Sequence, residues 1–478
     1  MPEWEPVIGL EIHVQLKTHT KMFCGCEAGF GGEPNTRTCP VCLAFPGALP
    51  VPNQTAVEWT IKLGHALNCR IAERAVFHRK NYFYPDNPKG YQISQYDEPL
   101  CIDGSFVVPG PDGDGEVGIV RAHLEEDAAK TIHVGGSTGR KVGSAHSLID
   151  FNRAGTPLVE IVTQPDIRSS DEARRFLQLL RQTIVESGIS DAEMEKGTLR
   201  VDANVSVRER GETGFRTRWE LKNVNSFNFV ARGIDAAVRE QIQIYESGGT
   251  VEQHTYDYEP NTDTLTPHRA KEEADDYRYF PEPDLVPVQP ETETVERLRA
   301  ELGELPSSRL QRLKDARGLD HADAEAINSD LARVKLFEVL NAVGLDSKTA
   351  ATFVLNDLER NKIEPARVIL DATLINELIQ VLRNKSSLPR EVFDEAVAAS
   401  TSLGFKAETF LARAAVADTS ELEPIVDHVL AENPDNVAAY RGGKEGLLGF
   451  FVGQVMKATN GQADARVVNE LLRSKLSS

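Results

Sequence analysis

Val7-Ile8-Gly9-Leu10-Glu11-Ile12-His13-Val14-Gln15-Leu16 is the stretch that decides the fold of this chain. Ile8, Leu10, Ile12, Val14 and Leu16 hold the even positions, and Glu11, His13 and Gln15 hold odd ones. Side chains alternate across a strand, so the pattern predicts one apolar face and one face with a carboxylate beside an imidazole. The pattern returns twice. Leu199, Val201, Ala203, Val205 and Val207 alternate with Arg200, Asp202, Asn204, Ser206 and Arg208, and Trp219 and Leu221 alternate with Glu220 and Lys222. With a turn centred near Gly211 the two form an antiparallel hairpin that sets Asp202 opposite Glu220. Like charges so placed destabilise a sheet unless a cation lies between them, which points to a metal; a one-residue slip voids the argument.

Residues 119–127 read as a further strand ending in three acids, Glu125, Glu126 and Asp127. Clustered carboxylates are commonly just solvated, yet they are also what Mg²⁺ takes, since it prefers oxygen ligands. Cys24-x-Cys26 and Cys39-x-x-Cys42 bracket twelve residues rich in Gly, Pro and Asn, the spacing of a structural zinc knuckle. Four thiolates leave no open position for catalysis. Residues 77–96 interleave Arg79, Lys80 and Lys89 with aromatics in a loop broken by two prolines, a composition suited to phosphates and stacked bases. Residues 275–284 repeat the aromatic-basic texture. Residues 113–118 match a dinucleotide-loop spacing, but acids lie inside it and a strand follows where a helix is required. Residues 135–141 lack the Gly-Lys-Ser/Thr ending of a phosphate loop. Both read as hairpin loops.

The 478 residues carry 40% hydrophobic and 26% charged side chains and a net charge of −20. That balance opposes non-specific nucleic-acid binding, which draws on neutralised phosphates, but not a local grip on a structured RNA. The longest apolar run is too short to span a bilayer and the N-terminus lacks a signal-peptide pattern, so a cytoplasmic protein is expected. Six cysteines are too few for a disulfide framework in a chain of this length. Ser169 with Glu172 forms a capping box for a helix to about Glu186, and a second helix is expected over 229–246. From about Glu293 the 3.6-residue stripes run helix after helix, including 320–343 and 347–358, with a division near Gly404.

The motifs IGLEIHVQL, CPVC, RKNYFYPDNPKGYQISQ, HLEEDAAK, NRAGTPLVEIV, RVDANVSVR, ELKNVNSF, DYRYFPEPDL and GFFVGQVMKATNGQA follow in order along the whole chain. In these the sequence resembles the GatB family, the B-type subunits of the tRNA-dependent amidotransferases, which convert Glu-tRNA(Gln) or Asp-tRNA(Asn) to the amide. The resemblance implies an α+β architecture. A cradle domain built on a mixed or antiparallel sheet with the zinc knuckle covers 1–292, an all-α helical domain 293–404, and a small α-helical tail that touches tRNA 405–478. It implies ATP, Mg²⁺ and structural Zn²⁺ as cofactors. It also implies an amidase partner that releases ammonia from glutamine, a small third subunit, an aminoacyl-tRNA substrate and no membrane.

In such a family Glu11, His13, Glu126, Asp202 and Glu220 handle metal and phosphate, with Arg79 and Lys80 toward the nucleotide and Lys80 neutralising phosphate. Strand parity instead joins Glu125 to Arg121 and His123, so both Glu125 and Glu126 stay as ligands. His13 is an uncommon Mg²⁺ donor and suits a water or phosphate equally. Ala129 and Ala44 stand where the family usually has glycine. Two other classes fit parts of the pattern: a metal-dependent phosphohydrolase, from the acids alone, and a tRNA-binding scaffold, from the knuckle and helical tail alone.

Overall fold

The computed structural model describes residues 3–135, 143–267, 277–413, 419–459 and 463–477. It divides into two compact units, Met1–Gln311 and Arg312–Ser478. Of the phosphate-loop-like stretch 135–141, all but Gly135 lies outside the described residues, as do the first two residues of 275–284.

The first unit is built on one large sheet. In chain order its elements are β1 (Trp4–Gln15), α1 (Gln54–Ala66), β2 (Arg70–Ile71), β3 (Val76–Asn81), β4 (Tyr91–Glu98), β5 (Cys101–Val108) and β6 (Gly115–Glu126). There follow β7 (Lys130–Val134), β8 (His146–Asp150), β9 (Pro157–Thr163), α2 (Ser170–Glu186), β10 (Leu199–Glu209) and β11 (Trp219–Lys222). The unit continues through α3 (Phe227–Glu246), β12 (His254–Glu259), β13 (Thr264–Pro267), β14 (Phe280–Pro281) and α4 (Thr292–Ala300). The main sheet runs β13-β12-β11-β10-β1-β9-β6-β4-β3-β14, with β5 on β6 and β2 on β5, while β7 and β8 form a separate ribbon. Pairing is antiparallel except β11 with β12, which α3 joins as a crossover.

The opening strand lies inside this sheet between β10 and β9. Ile8, Leu10, Ile12, Val14 and Leu16 are all buried, and so are Leu199, Val201, Ala203, Val205 and Val207 from β10. Helices cover this apolar face. On α3, Gly233 lies close enough to Leu221 and Tyr258 that a Cβ would meet them at 3.4–3.6 Å, and Gln241 Nε2 donates to the Val205 carbonyl at 2.9 Å. Phe176 of α2 packs edge-on to Phe106 of β5 at 5.4 Å. The capping at Ser169 is as expected: its hydroxyl accepts from Glu172 N, and the Glu172 carboxylate reaches back to Arg168 N. Gly113 belongs to the β5–β6 connection, so that glycine run is a hairpin loop.

The hairpin register differs from the expected one. Asn204, not Asp202, pairs with Glu220, and Ala203 pairs with Leu221. The shift is two residues, so each side chain keeps its face. Asp202 is brought beside Lys222, whose Nζ lies 2.5 Å from the Asp202 carboxylate and 3.3 Å from Glu220. The cation between the acids is therefore a lysine from the same strand as Glu220, and the like-charge argument for a metal at that pair falls.

In the second unit the stripe over 320–343 is broken into His321–Asn328 and Leu331–Ala342, because Asp330 caps a new helix through Ala332 N. The stripe over 347–358 contains a π-helical turn, Phe353–Asp357. Its Asp357 is buried and ion-paired to Lys385 at 2.6 Å and Arg360 at 3.2 Å. Thr419–Glu432, Leu448–Ala458 and Ala465–Ser477 bury a core of their own from Leu422, Val426, Phe451, Val455, Val468 and Leu472.

Because Ile12 is fully buried at the centre of the sheet, Ile12→Ala should destabilise the first unit by about 2–5 kcal/mol. Denaturant unfolding followed on the two units separately checks this, and an unshifted first-unit midpoint would contradict the placement.

Candidate active site

The odd residues of β1 look onto the face that the helices leave free. Register carries the polar row straight across four strands: Arg200 opposite His13, His13 opposite Glu160, and Glu160 opposite His123. Glu11, opposite Asp202, lies one step to one side of this row, and Glu125, opposite Ser94 of β4, lies one step to the other, because β1 and β6 run in the same direction on either side of β9. His13 Nε2 lies 3.7 Å from Glu11 and 3.6 Å from Glu160, while His123 Nε2 lies 3.3 Å from Glu125 and 3.8 Å from Glu160. Two donor triads result, Glu11–His13–Glu160 and His123–Glu125–Glu160, joined at Glu160.

Electrostatics follow from that crowding. Burial, then repulsion from Glu160, lifts the Glu11 carboxyl above its ordinary range. Burial opposes the His13 imidazolium, but contact with Glu160 outweighs it and raises the imidazole. Glu160 is itself buried, yet His123, His13 and Lys80 hold its carboxyl far below the usual range. For Glu125 burial and Glu160 push up, whereas the His123 hydrogen bond and Lys80 win and bring it down. Lys80 is raised against burial by Glu125, Glu160 and Glu11.

Of the residues expected from sequence, Glu11, His13, Glu125 and Lys80 meet on this face, with Asp202 beside Glu11. Glu220 is next to Lys222 and bonded by the Thr255 hydroxyl at 3.0 Å. Glu126 points elsewhere. It pairs with Lys89, accepts from Ile93 N at 3.1 Å, and lines a separate cavity of about 170 Å³ walled by Lys21, Phe45, Tyr91 and the knuckle cysteines Cys24 and Cys42. Arg79 also points away from the row: its Nε and Nη2 bond the buried Glu282 at 2.6 and 2.7 Å, and its guanidinium lies over Tyr91 at 4.2 Å. Asp127 serves as a clamp, accepting from Gln15 of β1 and from Arg200 of β10, the latter at 2.9 Å.

The four knuckle sulfurs lie within 4.8 Å of one another, and Cys39 and Cys42 Sγ are 3.9 Å apart. Tetrahedral zinc with Zn–S bonds of about 2.3 Å sets sulfurs about 3.8 Å apart, so the cluster fits a metal of that kind. Cys42 is pulled down to about 5 by the Cys24 hydrogen bond, against burial, with the Cys39 N–H and the Lys21 ammonium assisting. Burial, with Cys39 and Cys42, pushes Cys26 up to about 11. Lys21 itself is buried, 3.8 Å from Cys42 Sγ.

Residues 6–296 match the family described as the GatB/GatE catalytic domain, and residues 335–476 match the GatB domain. The chain belongs to the GatB family. Among its relatives, the aspartyl/glutamyl-tRNA(Asn/Gln) amidotransferase B subunit of Geotalea daltonii is 47% identical over 481 residues, covering 99% of this chain and 99% of that protein. The protein of the same name from Syntrophotalea carbinolica is 44% identical over 483 residues, covering 99% of this chain and 98% of its own length. This GatB chain thus shares nearly all of its length with those relatives. No helix among the described residues is long and apolar enough to cross a membrane.

Two features of the site carry little signal in the sequence. Glu160 lies on a strand that is buried almost throughout and shows no alternation, so only its place within a family motif marks it. Lys222 reads from alternation as one more polar position.

Asp127 supplies a test of the clamp. Burial raises its carboxyl, but Arg200, Arg153 and Gln15 outweigh burial and bring it down. Its contribution is therefore present above the unfolded value of about 3.9 and is lost as pH falls through the depressed folded value. Asp127→Asn should be less stable at pH 7, by roughly 1–3 kcal/mol, and the gap should narrow from about pH 5 downward. Unfolding measured across that range decides it; a constant gap would place the stability elsewhere.

Proposed function

We propose that this chain is the amide-forming component of a tRNA-dependent amidotransferase. In this reading it uses ATP to phosphorylate the side-chain carboxylate of Glu or Asp esterified to tRNA, then joins that acyl group to ammonia from a glutaminase partner. The names of its relatives support the reaction class. The observation that carries the site is a lysine, Lys80, set among Glu11, Glu125 and Glu160 on the open sheet face.

A carboxylate is a poor electrophile, and phosphorylation converts one oxygen into a leaving group. Phosphoryl transfer is catalysed mainly by positioning and by opposing charge to the transferred group. Glu11, His13 and Glu160 suit a divalent cation, with Glu125 in the adjoining triad that shares Glu160: His13 Nε2 lies 3.6–3.7 Å from both carboxylates, slightly wider than the roughly 3 Å edge of a Mg²⁺ octahedron. Mg²⁺ held there supplies positive charge for ATP phosphates. Lys80 neutralises a phosphate oxygen, and His123 orients Glu125 and Glu160. Lys222 restrains Asp202 and Glu220, which makes those two acids supports of Glu11 in preference to independent ligands. Glu126, paired to Lys89 in its own cavity, stands outside this set.

The reading extends to zinc in the four-cysteine knuckle as a structural ion, to an amidase and a small third subunit as partners, and to a cytoplasmic setting. Within residues 405–478, the helices that share the core from Leu422 to Leu476 suit contact with the tRNA body. The sheet domain to about 292 and the helices to 404 complete the division.

Glu11 is raised by burial and by Glu160, so replacing it relieves repulsion. In the assembled complex Glu11→Ala should abolish ATP-dependent amidation of charged tRNA while the melting temperature holds or rises. Near wild-type turnover at saturating Mg²⁺ would refute the site. Cys39→Ser should lower bound zinc below one per chain and loosen residues 24–51 to proteolysis, since structural zinc contributes on the order of 10 kcal/mol of apparent binding energy in small sites. Elemental analysis of the folded wild-type chain with well under one zinc would defeat that assignment.

A further inference from the structure

We infer that Tyr277 is a positioning residue for Lys80, carried on a wall of residues 277–284 that Arg79 and Asn81 fasten to the sheet. The inference rests on the phosphorylation site proposed above and assigns work to a motif and an arginine that site leaves unused.

A lysine among carboxylates ordinarily closes onto one of them. Lys89 does so with Glu126, and Lys222 with Asp202. Lys80 has Glu125, Glu160 and Glu11 as charged neighbours, yet among the described residues its ammonium makes no hydrogen bond or ion pair. It lies instead over the ring of Tyr277, 4.9 Å from the centroid. The negative face of an aromatic ring attracts a cation without offering a lone pair or a charge that neutralises it. A lysine so held keeps its charge for an incoming phosphate.

The ring is fixed from both ends of its segment. Asn81 Nδ2 donates to the Tyr277 carbonyl at 3.2 Å and to the Arg278 carbonyl at 2.8 Å. Arg278 takes φ +47°, a left-handed conformation that a residue with a Cβ adopts only under local constraint. Tyr279 stacks on Tyr96 of β4 at 4.7 Å, and Phe280 pairs with Arg79 at the sheet edge. The Arg79 guanidinium then grips Glu282 through two hydrogen bonds. Alternation along β3 divides the labour: Arg79 and Asn81 hold the wall, and Lys80 between them faces the acids. Without the ring, the ammonium swings onto Glu125 or Glu160 and its charge is cancelled there.

The test is made in the assembled complex with charged tRNA. Tyr277→Leu should lower kcat for ATP-dependent amidation roughly tenfold with little change in KM for the charged tRNA, and Tyr277→Phe, which keeps the ring, should restore it. Asn81→Ala, which frees the segment without touching the ring, should fall between them. The decisive arm is the pair: in a Lys80→Met background, Tyr277→Leu should cost nothing more, because the ring acts through that lysine. An undiminished loss in that background makes the role of Tyr277 merely structural and overturns the inference, as does a wild-type rate for Tyr277→Leu. A wild-type rate for Lys80→Met alone removes the phosphorylation site itself, so the two failures are told apart.

Discussion

The structure turns on the cost of crowding acids onto one face of a sheet. Glu11, Glu125 and Glu160 stand within a few ångströms of two imidazoles, and none could be held there by the others. What holds them is the opposite face. Ile8 to Val14 on β1 and Leu199 to Val207 on β10 are buried at every second residue beneath the helices, and a slip of one residue would turn all of them to the polar side. Hydrophobic register, enforced from beneath, pins carboxylates that would otherwise separate. Such a face can be organised before any ligand arrives.

Local electrostatics then sort the acids into two kinds. Asp202 and Glu220 share Lys222, and Glu126 has Lys89, so each has its counter-charge within the chain. Glu11 lacks a cation held that closely and is raised by burial and by Glu160, while Glu160 is stabilised by two imidazoles, by the Arg121 guanidinium at 3.7 Å and by the charge of Lys80. The surroundings of Glu11 are therefore where added positive charge gains most. In the proposed reading this asymmetry favours a cation at the triad of Glu11, His13 and Glu160, and opposes treating every acid in the cradle as an equal ligand.

The sheet is legible in the sequence because alternation is a local signal with a single physical cause. The faces of Glu11, His13, Asp202 and Glu220 are legible for the same reason. Register is not, since the path of the loop between β10 and β11 sets it, and the expected pairing is off by two residues although the faces survive. Glu160 is hidden because β9 is buried on both sides and reads as a plain apolar run. Arg79 misleads in the opposite way: a cation among aromatics suits phosphate by composition, but parity with Lys80 turns it to the other face. The break at Asp330 is overrun because the apolar stripe continues on both sides of it.

Distance along the chain explains the division of tasks at β3. The residues that make the acid row come from β1, β6, β9 and β10, all paired through backbone ladders, whereas residues 277–284 return to the sheet only at its edge. A two-residue strand offers few backbone bonds, so the segment depends on side chains: Arg79 to Glu282, Asn81 to two carbonyls, Tyr279 on Tyr96. Such a boundary is locally less stable than the ladder it borders. It is also the place where a ring can be brought over a lysine without burying either completely. The rigid core fixes the acids, and the weaker edge decides how Lys80 is presented to them.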